Sequence, residues 1–269
     1  YQGRQQTLEA WLAQRELPDV TNMRAQELIA KLPYLGQRSY SVASITASGQ
    51  LQLIVRLLQK SDKNLGLASS YLSYYSQIGD IIQGQIRTVK MHHQINHTKP
   101  IILIGAGSGL AGLKAQIELR SFNTNKNLND NALTQPTFAQ HLIEKQSRSK
   151  KITPIWLIYG ERNNSPELPL NQYLMTLEQT ILSKLNLAYS QVNNSNDSIA
   201  QMASPKYVQN ALIEQKDTLI EWVENGASIY VCGCLLGMGK SVHQTLVELL
   251  GDKTLEKMQF QHRYIRDVY

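Results

Sequence analysis

The segment that most limits how this chain can fold is Pro100-Ile101-Ile102-Leu103-Ile104, which runs straight into Gly105-Ala106-Gly107-Ser108-Gly109-Leu110-Ala111-Gly112. An apolar run with no polar alternation suits a strand covered on both faces, as strands of parallel sheets are. Glycines at the C-terminal end of such a strand let the backbone approach a phosphate, and the N-terminus of the following helix favours its charge. A glycine run alone is also what a tight turn needs. Its position between an apolar strand and a helix makes Gly107, Ser108 and Gly109 candidate phosphate contacts. No acidic residue about 20 positions on ends a second strand, so the usual ribose-binding Rossmann arrangement is not expected.

Similar apolar runs recur at Pro154 to Tyr159 and at Ser228-Ile229-Tyr230-Val231-Cys232, with helical stretches at Tyr207 to Asn225 and Lys240 to Leu250. Alternation of this kind predicts an open, doubly wound parallel α/β sheet over residues 99–269. Ser121 to Ser149, rich in Asn, Gln, Ser and Lys, reads as a long surface insertion, and Asn193 to Ser198 as a second polar loop.

Residues 1–98 have a different character. Leu8 to Leu32 reads as one or two helices interrupted at Pro18. Arg38 to Ser44 and Leu51 to Leu57 alternate as strands do, Ser69 to Ser76 suits a helix after Gly66, Gly79-Asp80 marks a turn, and Gly84 to Val89 suits a further strand. The expected fold is therefore a small β-rich domain followed by an α/β domain.

Apolar residues make up 42% of the chain and charged residues 18%, which suits a globular core. No run of about 18 apolar residues exists, so no membrane span is expected, and any membrane attachment would come through a segment not included. The start, Tyr1-Gln2-Gly3-Arg4, carries no secretory signal and no Met, so the chain reads as a piece of something longer. Its net charge of +6 is scattered apart from Lys145 to Lys151, which argues against a nucleic-acid partner and is compatible with an anionic ligand or an acidic electron-transfer protein. Two cysteines, Cys232 and Cys234, are too few and too close for a disulfide framework or a zinc site. No metal site is expected, and a reducing, cytoplasmic location is.

Two further segments are ambiguous by themselves. Arg38-Ser39-Tyr40-Ser41 could clamp a pyrophosphate and contact a ring, or be an ordinary strand with polar outward residues. Gly66-Leu67-Ala68-Ser69 is a helix start that either binds a phosphate or caps itself. Read in order with Gly105 to Gly109, Gly160-Glu161-Arg162-Asn163, Tyr207-Val208-Gln209, Tyr230-Val231-Cys232-Gly233 and the closing Arg263-Tyr264-Ile265-Arg266-Asp267-Val268-Tyr269, they form a series. The series resembles the ferredoxin-NADP reductase-like half of the diflavin reductases, and among these the sulfite reductase flavoprotein type. It extends from about residue 24 to residue 269.

The resemblance implies an oxidoreductase that moves a hydride from NADPH to FAD and passes electrons to FMN in a flavodoxin-like domain, or to another one-electron acceptor downstream. It implies that residues 1–98 are a partial antiparallel FAD-binding β-barrel with N-terminal helices, and residues 99–269 the NADP(H)-binding domain. Arg38, Ser39, Tyr40 and Ser41 would line the FAD, with Arg38 at the pyrophosphate and Tyr40 and Ser41 at the flavin. Ile54, Val55 and Arg56 would form the next flavin-lining strand, and Gly66, Leu67, Ala68 and Ser69 would hold the pyrophosphate. Ser108, between Gly107 and Gly109, would meet the NADPH phosphates, and Ser190, Lys206, Tyr207 and Gln209 the adenosine end. Tyr269 would cover the isoalloxazine ring until nicotinamide displaces it. Ser41, Cys232 and Asp267 match the polar cluster around the hydride-transfer contact.

The chain also departs from the family's pattern. Ser190-Gln191 stands where the family has Ser-Arg, and Lys206 is one position from the family's lysine, which matches Pro205. Gln cannot copy bidentate phosphate recognition, so a looser grip on the 2′-phosphate is expected. Gly112 replaces a proline, and Cys234 and Gly237 replace an acidic and a basic residue. These changes motivate the alternative of a nucleotide-binding or interaction module whose redox activity has decayed. Barrel strands and an FMN domain that precede the helices in the family are not in the sequence.

Overall fold

The computed structural model describes residues 24, 26–27, 37–59, 65–87, 95–126, 153–163, 169–191 and 205–269. The expected helix around Leu8 to Leu32 lies almost wholly outside them, as do the polar loop at Asn193 to Ser198 and most of the expected insertion. Contacts divide the chain into two compact units, one of Tyr1–Ser39 with Val55–Ile81, the other of Tyr40–Ile54 with Ile82–Tyr269.

The first unit contains a short helix, α1 (Leu67–Ser70), that widens into a π-type turn over Tyr71–Tyr75. An antiparallel bridge joins Gln59 and Leu65. Gly66 donates its N–H to Leu58 O at 2.7 Å. Gly84 to Arg87 form no strand, and only Thr88 and Val89 of that expected element fall outside the described residues.

The second unit is built on a five-stranded sheet of order β3-β2-β1-β4-β5. Its strands are β1 (Ile101–Ala106), β2 (Ile155–Glu161), β3 (Lys184–Tyr189), β4 (Ser228–Gly233) and β5 (Tyr264–Val268), and every pairing is parallel. Helices α2 (Leu110–Lys126), α3 (Pro169–Thr180), α4 (Val208–Glu214), α5 (Lys216–Glu224), α6 (Lys240–Leu250) and α7 (Asp252–Phe260) cover it. α2 continues through Lys126, so the expected insertion begins as helix. The single helix expected over Tyr207 to Asn225 is two helices, broken at Gln215.

The apolar runs of β1, β2 and β4 divide between two cores at every second residue. Ile102, Ile104, Trp156, Ile158, Ile229 and Val231 face α4 to α7, while Ile101, Leu103, Ile155, Leu157, Tyr230 and Cys232 face α2 and α3. Each fully buried Ile or Leu contributes about 2 kcal/mol relative to exposure. Both faces are therefore covered, and the polar chemistry is left to the strand ends. With β1 central and the chain winding both ways from it, ligands of such sheets sit in the crevice at the carboxyl ends of β1 and β4.

Candidate functional site

At the carboxyl end of β1 the chain forms a 3-10 turn over Gly107–Gly109 and then enters α2. Gly107 has φ 58°, a left-handed conformation that suits glycine. Gly109 has a different reason to lack a side chain. A Cβ there would lie 2.1 Å from the Cys232 carbonyl oxygen, and one at Gly105 would lie 2.7 Å from the same atom. The glycines thus bring the β1 turn against the end of β4. From β2, the Tyr159 hydroxyl, 2.8 Å from Gly107 O and 3.1 Å from Glu161 Oε2, holds this turn.

Beside the turn, three candidate residues from distant parts of the chain converge. Ser41 Oγ donates to Asp267 Oδ2 at 3.3 Å across 226 positions of sequence. The Cys232 thiol points at the same oxygen from 3.6 Å and lies 4.0 Å from Ser41 Oγ. The sheet register sets Cys232 beside Asp267 on neighbouring strands. A fourth group joins them, since the Tyr230 hydroxyl donates to Asp267 Oδ2 at 3.0 Å. Sequence reasoning treated Tyr230 as strand core. Its position two residues before Cys232, hence on the same face of β4, was the available signal.

Burial and the nearby Asp267 carboxylate push the Cys232 thiol up to about 12, so it stays an S–H donor. Burial, then Cys232 and Asp267, also raise Tyr230. The cluster therefore directs protonated donors at one carboxylate oxygen. It closes directly on α2, because a Cβ at Gly112 would lie 2.8 Å from Cys232 Sγ and 2.9 Å from Tyr230 Oη.

Tyr269 follows β5. Its N–H donates to Gly233 O at 3.1 Å, and its carbonyl accepts from Leu235 N at 2.9 Å. Its half-exposed side chain shares a hydrogen bond with Ser108 Oγ at 2.9 Å. Burial raises the phenol, and the Ser108 bond draws it back down.

The candidates for the adenosine end lie just after β3 and at the start of α4. Ser190 N donates to Glu161 O at 3.0 Å, Gln191 N to Arg162 O at 2.7 Å and Tyr189 N to Pro205 O at 3.1 Å. Lys206 Nζ lies 5.5 Å from the centroid of the exposed Tyr207 ring. Asn210 Oδ1 accepts Tyr207 N at 3.1 Å, and Gln209 stands between them in the first turn of α4.

Tyr40 and Ile54 belong to the same unit as the sheet, and Ile54 packs against the core that contains Cys232. Arg38, Ser39, Val55, Arg56 and Gly66 to Ser69 belong to the other unit. There, Ser69 Oγ accepts Leu58 N at 3.1 Å and donates to Gly66 O at 3.0 Å, so this hydroxyl is engaged within its own unit. Among the described residues, no three or more His, Cys, Asp or Glu gather to hold a metal, and no helix is long and apolar enough to cross a membrane.

The family model of the oxidoreductase NAD-binding domain matches residues 103–244. The chain is 27% identical over 264 residues to the sulfite reductase [NADPH] flavoprotein alpha-component of Buchnera aphidicola subsp. Acyrthosiphon pisum, covering 92% of this chain and 38% of that one. Proteins of the same name from Vibrio parahaemolyticus and Bacillus subtilis are 26% and 24% identical, covering 97% and 99% of this chain and 40% and 42% of theirs. The chain thus spans about two fifths of the length of the curated relatives it matches.

Proposed function

The chain belongs to the oxidoreductase NAD-binding domain family, and from that premise we propose that it is the nucleotide-side part of an NADPH-dependent flavin reductase of the sulfite reductase flavoprotein type. Residues 99–269 would accept NADPH, and residues 1–98 would form part of an FAD-binding β-barrel. Electrons would leave for FMN in a flavodoxin-like domain or for another one-electron acceptor. The names of the relatives support NADPH and flavin as cofactors.

One observation carries the reading: Ser41, Cys232 and Asp267 meet within 4.0 Å beside the glycine turn, at the carboxyl ends of the central strands. A bound NADPH would supply a hydride, a proton with two electrons, to the flavin. The protein's share is orientation, since holding reactants in register replaces much of the entropic barrier. Ser108 and the turn around it would hold phosphate. Ser190, Lys206, Tyr207 and Gln209, which combine hydroxyl, cation, ring and amide, suit an adenosine phosphate. Asp267 would favour positive charge developing nearby, while Ser41 and Cys232 stay protonated and fix its carboxylate. Arg38 to Ser41, Ile54 to Arg56 and Gly66 to Ser69 would line the FAD. Tyr269 would cover the flavin face until nicotinamide takes its position.

Anaerobic mixing of the whole flavin-loaded protein with NADPH tests this. Bleaching of the flavin absorbance is expected. A protein that keeps its flavin yet shows no NADPH-dependent bleaching is a nucleotide-binding module and not a reductase.

A further inference from the structure

Ser41 reaches Asp267 from a hairpin that is remote in sequence from the sheet. Val42 bridges Leu53 antiparallel, Ala43 N donates to Gln52 O at 2.8 Å, and the chain reverses through Thr46–Ser48 and Gly49, whose φ is 65°. Ser44 Oγ closes the loop by donating to Gln50 O at 2.7 Å and accepting Gln52 N at 3.0 Å. The hairpin's own bonds fix its shape. They do not fix where it sits.

That position depends on α2. Lys114 Nζ donates to the Ala43 carbonyl at 2.9 Å and to Gln52 Oε1 at 2.8 Å, one group from each arm of the hairpin. It also pairs with Glu118 one turn along the same helix, where side-chain exposure is 15% for Lys114 and 5% for Glu118. An ammonium has three donor protons and no acceptor, and the partners of this one include both arms of the hairpin and one carboxylate. Ala43 itself is buried at 1% exposure. A charge-assisted bond to a backbone carbonyl, shielded from water, holds more firmly than an exposed neutral one.

We propose that Lys114, with Glu118 as its counter-ion, is a positioning residue that grips both arms of the hairpin on α2 and so sets Ser41 against Asp267 and Cys232. The assignment of those three residues to hydride transfer is the reading given above, on which this proposal rests for its functional consequence. The grip itself is independent of that reading. Gly112, which presses on Cys232, and Lys114, which holds the hairpin, both lie on α2. The helix therefore sets the two sides of the cluster from one rigid element.

The test uses the whole flavin-loaded protein with Lys114→Met, Lys114→Arg and Gln52→Ala. The first readout is hydrogen exchange at the Ala43 and Gln52 amides. Lys114→Met is expected to speed their exchange at least tenfold while the β1 amides are unchanged. Lys114→Arg should restore most of the protection, and the exposed Gln52→Ala change should give a partial loss even if Lys114→Met folds poorly. The second readout is the rate of flavin reduction by NADPH, with Ser41→Ala alone and combined with Lys114→Met. If Lys114 acts through Ser41, the double variant is no slower than Ser41→Ala. Unchanged exchange in both Lys114→Met and Gln52→Ala, or rate losses that multiply in the double variant, would overturn the proposal. If Ser41→Ala leaves reduction unchanged, the hydride-transfer reading fails, and the exchange data still decide the grip.

Discussion

The hydroxyls of Ser108 and Tyr269 meet at 2.9 Å across 161 positions of sequence. One belongs to the glycine turn after β1, the other to the residue that follows β5, so the Tyr269 ring is tied to the turn proposed to hold NADPH phosphate. A neutral hydrogen bond contributes about 1 kcal/mol net. That is enough to favour the tied position several-fold and too little to lock it.

Deleting Tyr269 is accordingly expected to weaken discrimination against NADH, because nicotinamide no longer competes with a ring. A several-fold fall in the NADPH/NADH ratio of kcat/KM is the expected size. Ser108→Ala should loosen the ring and also weaken NADPH binding, whereas the deletion should spare it. Steady-state kinetics with both nucleotides checks this, and an unchanged ratio after deletion would remove the proposed role of Tyr269.

Cys232→Ala should slow flavin reduction roughly tenfold, the size expected for one transition-state contact of about 1.4 kcal/mol, with flavin content retained. Stopped-flow absorbance and the flavin-to-protein ratio are the measurements. Unaltered rates would make Cys232 a core residue only.

The buried thiol also implies a pH dependence. Its folded value, about 12, lies above its ordinary value of 9.0. The neutral thiol is favoured in the folded state, so its contribution is full below about pH 9 and is lost as pH rises toward 12. Within that window each pH unit removes about 1.4 kcal/mol at most. The urea midpoint should fall above pH 9 in the wild type and less steeply in Cys232→Ala.

Gly112→Ala sets two effects against each other. Gly112 is the third residue of α2, and replacing a glycine there gains less than the ~1 kcal/mol of a helix interior. The new Cβ, however, would sit 2.8 Å from Cys232 Sγ and 2.9 Å from Tyr230 Oη, both of which are buried. Overpacking of this kind costs about 1–3 kcal/mol, so the expected sign is destabilising, with reduction slowed as well. A raised urea midpoint would show that the cluster yields easily.

Gln191→Arg addresses nucleotide choice. Gln191 is exposed and pairs through its backbone with Arg162 at 2.7 Å, so the change should leave the fold intact. An arginine fork adds bidentate phosphate recognition, and KM for NADPH is expected to fall about tenfold with NADH unaffected. Equal effects on the two nucleotides would point away from the 2′-phosphate.

The parts of this structure legible in the sequence were those whose physics is local. β1, β2 and β4 are buried on both faces and so appear as unbroken apolar runs. The edge strands β3 and β5 carry Lys184, Asn186, Arg266 and Asp267 within their spans, and their mixed pattern concealed them. The glycine turn was visible as a motif. Its closest constraint, the contact of Gly109 with the Cys232 carbonyl, is a tertiary fact. Ser41, Cys232 and Asp267 could be grouped only by resemblance, since nothing local links residues so far apart. Tyr230 and Lys114 escaped because a strand tyrosine looks like core and a helix lysine looks like surface.

Gly112 also bears on how this neighbourhood can change over generations. Its missing side chain is the space that the Tyr230 hydroxyl and the Cys232 sulfur need. The family's pattern pairs a proline at this place with the same Tyr-Val-Cys-Gly segment, so a side chain at 112 fits beside an intact Tyr230 and Cys232 only where α2 lies farther from β4 than it does here. The residue at 112 and the spacing of helix and strand therefore change together, and a homologue with proline there should hold the same donors behind a helix set slightly farther out.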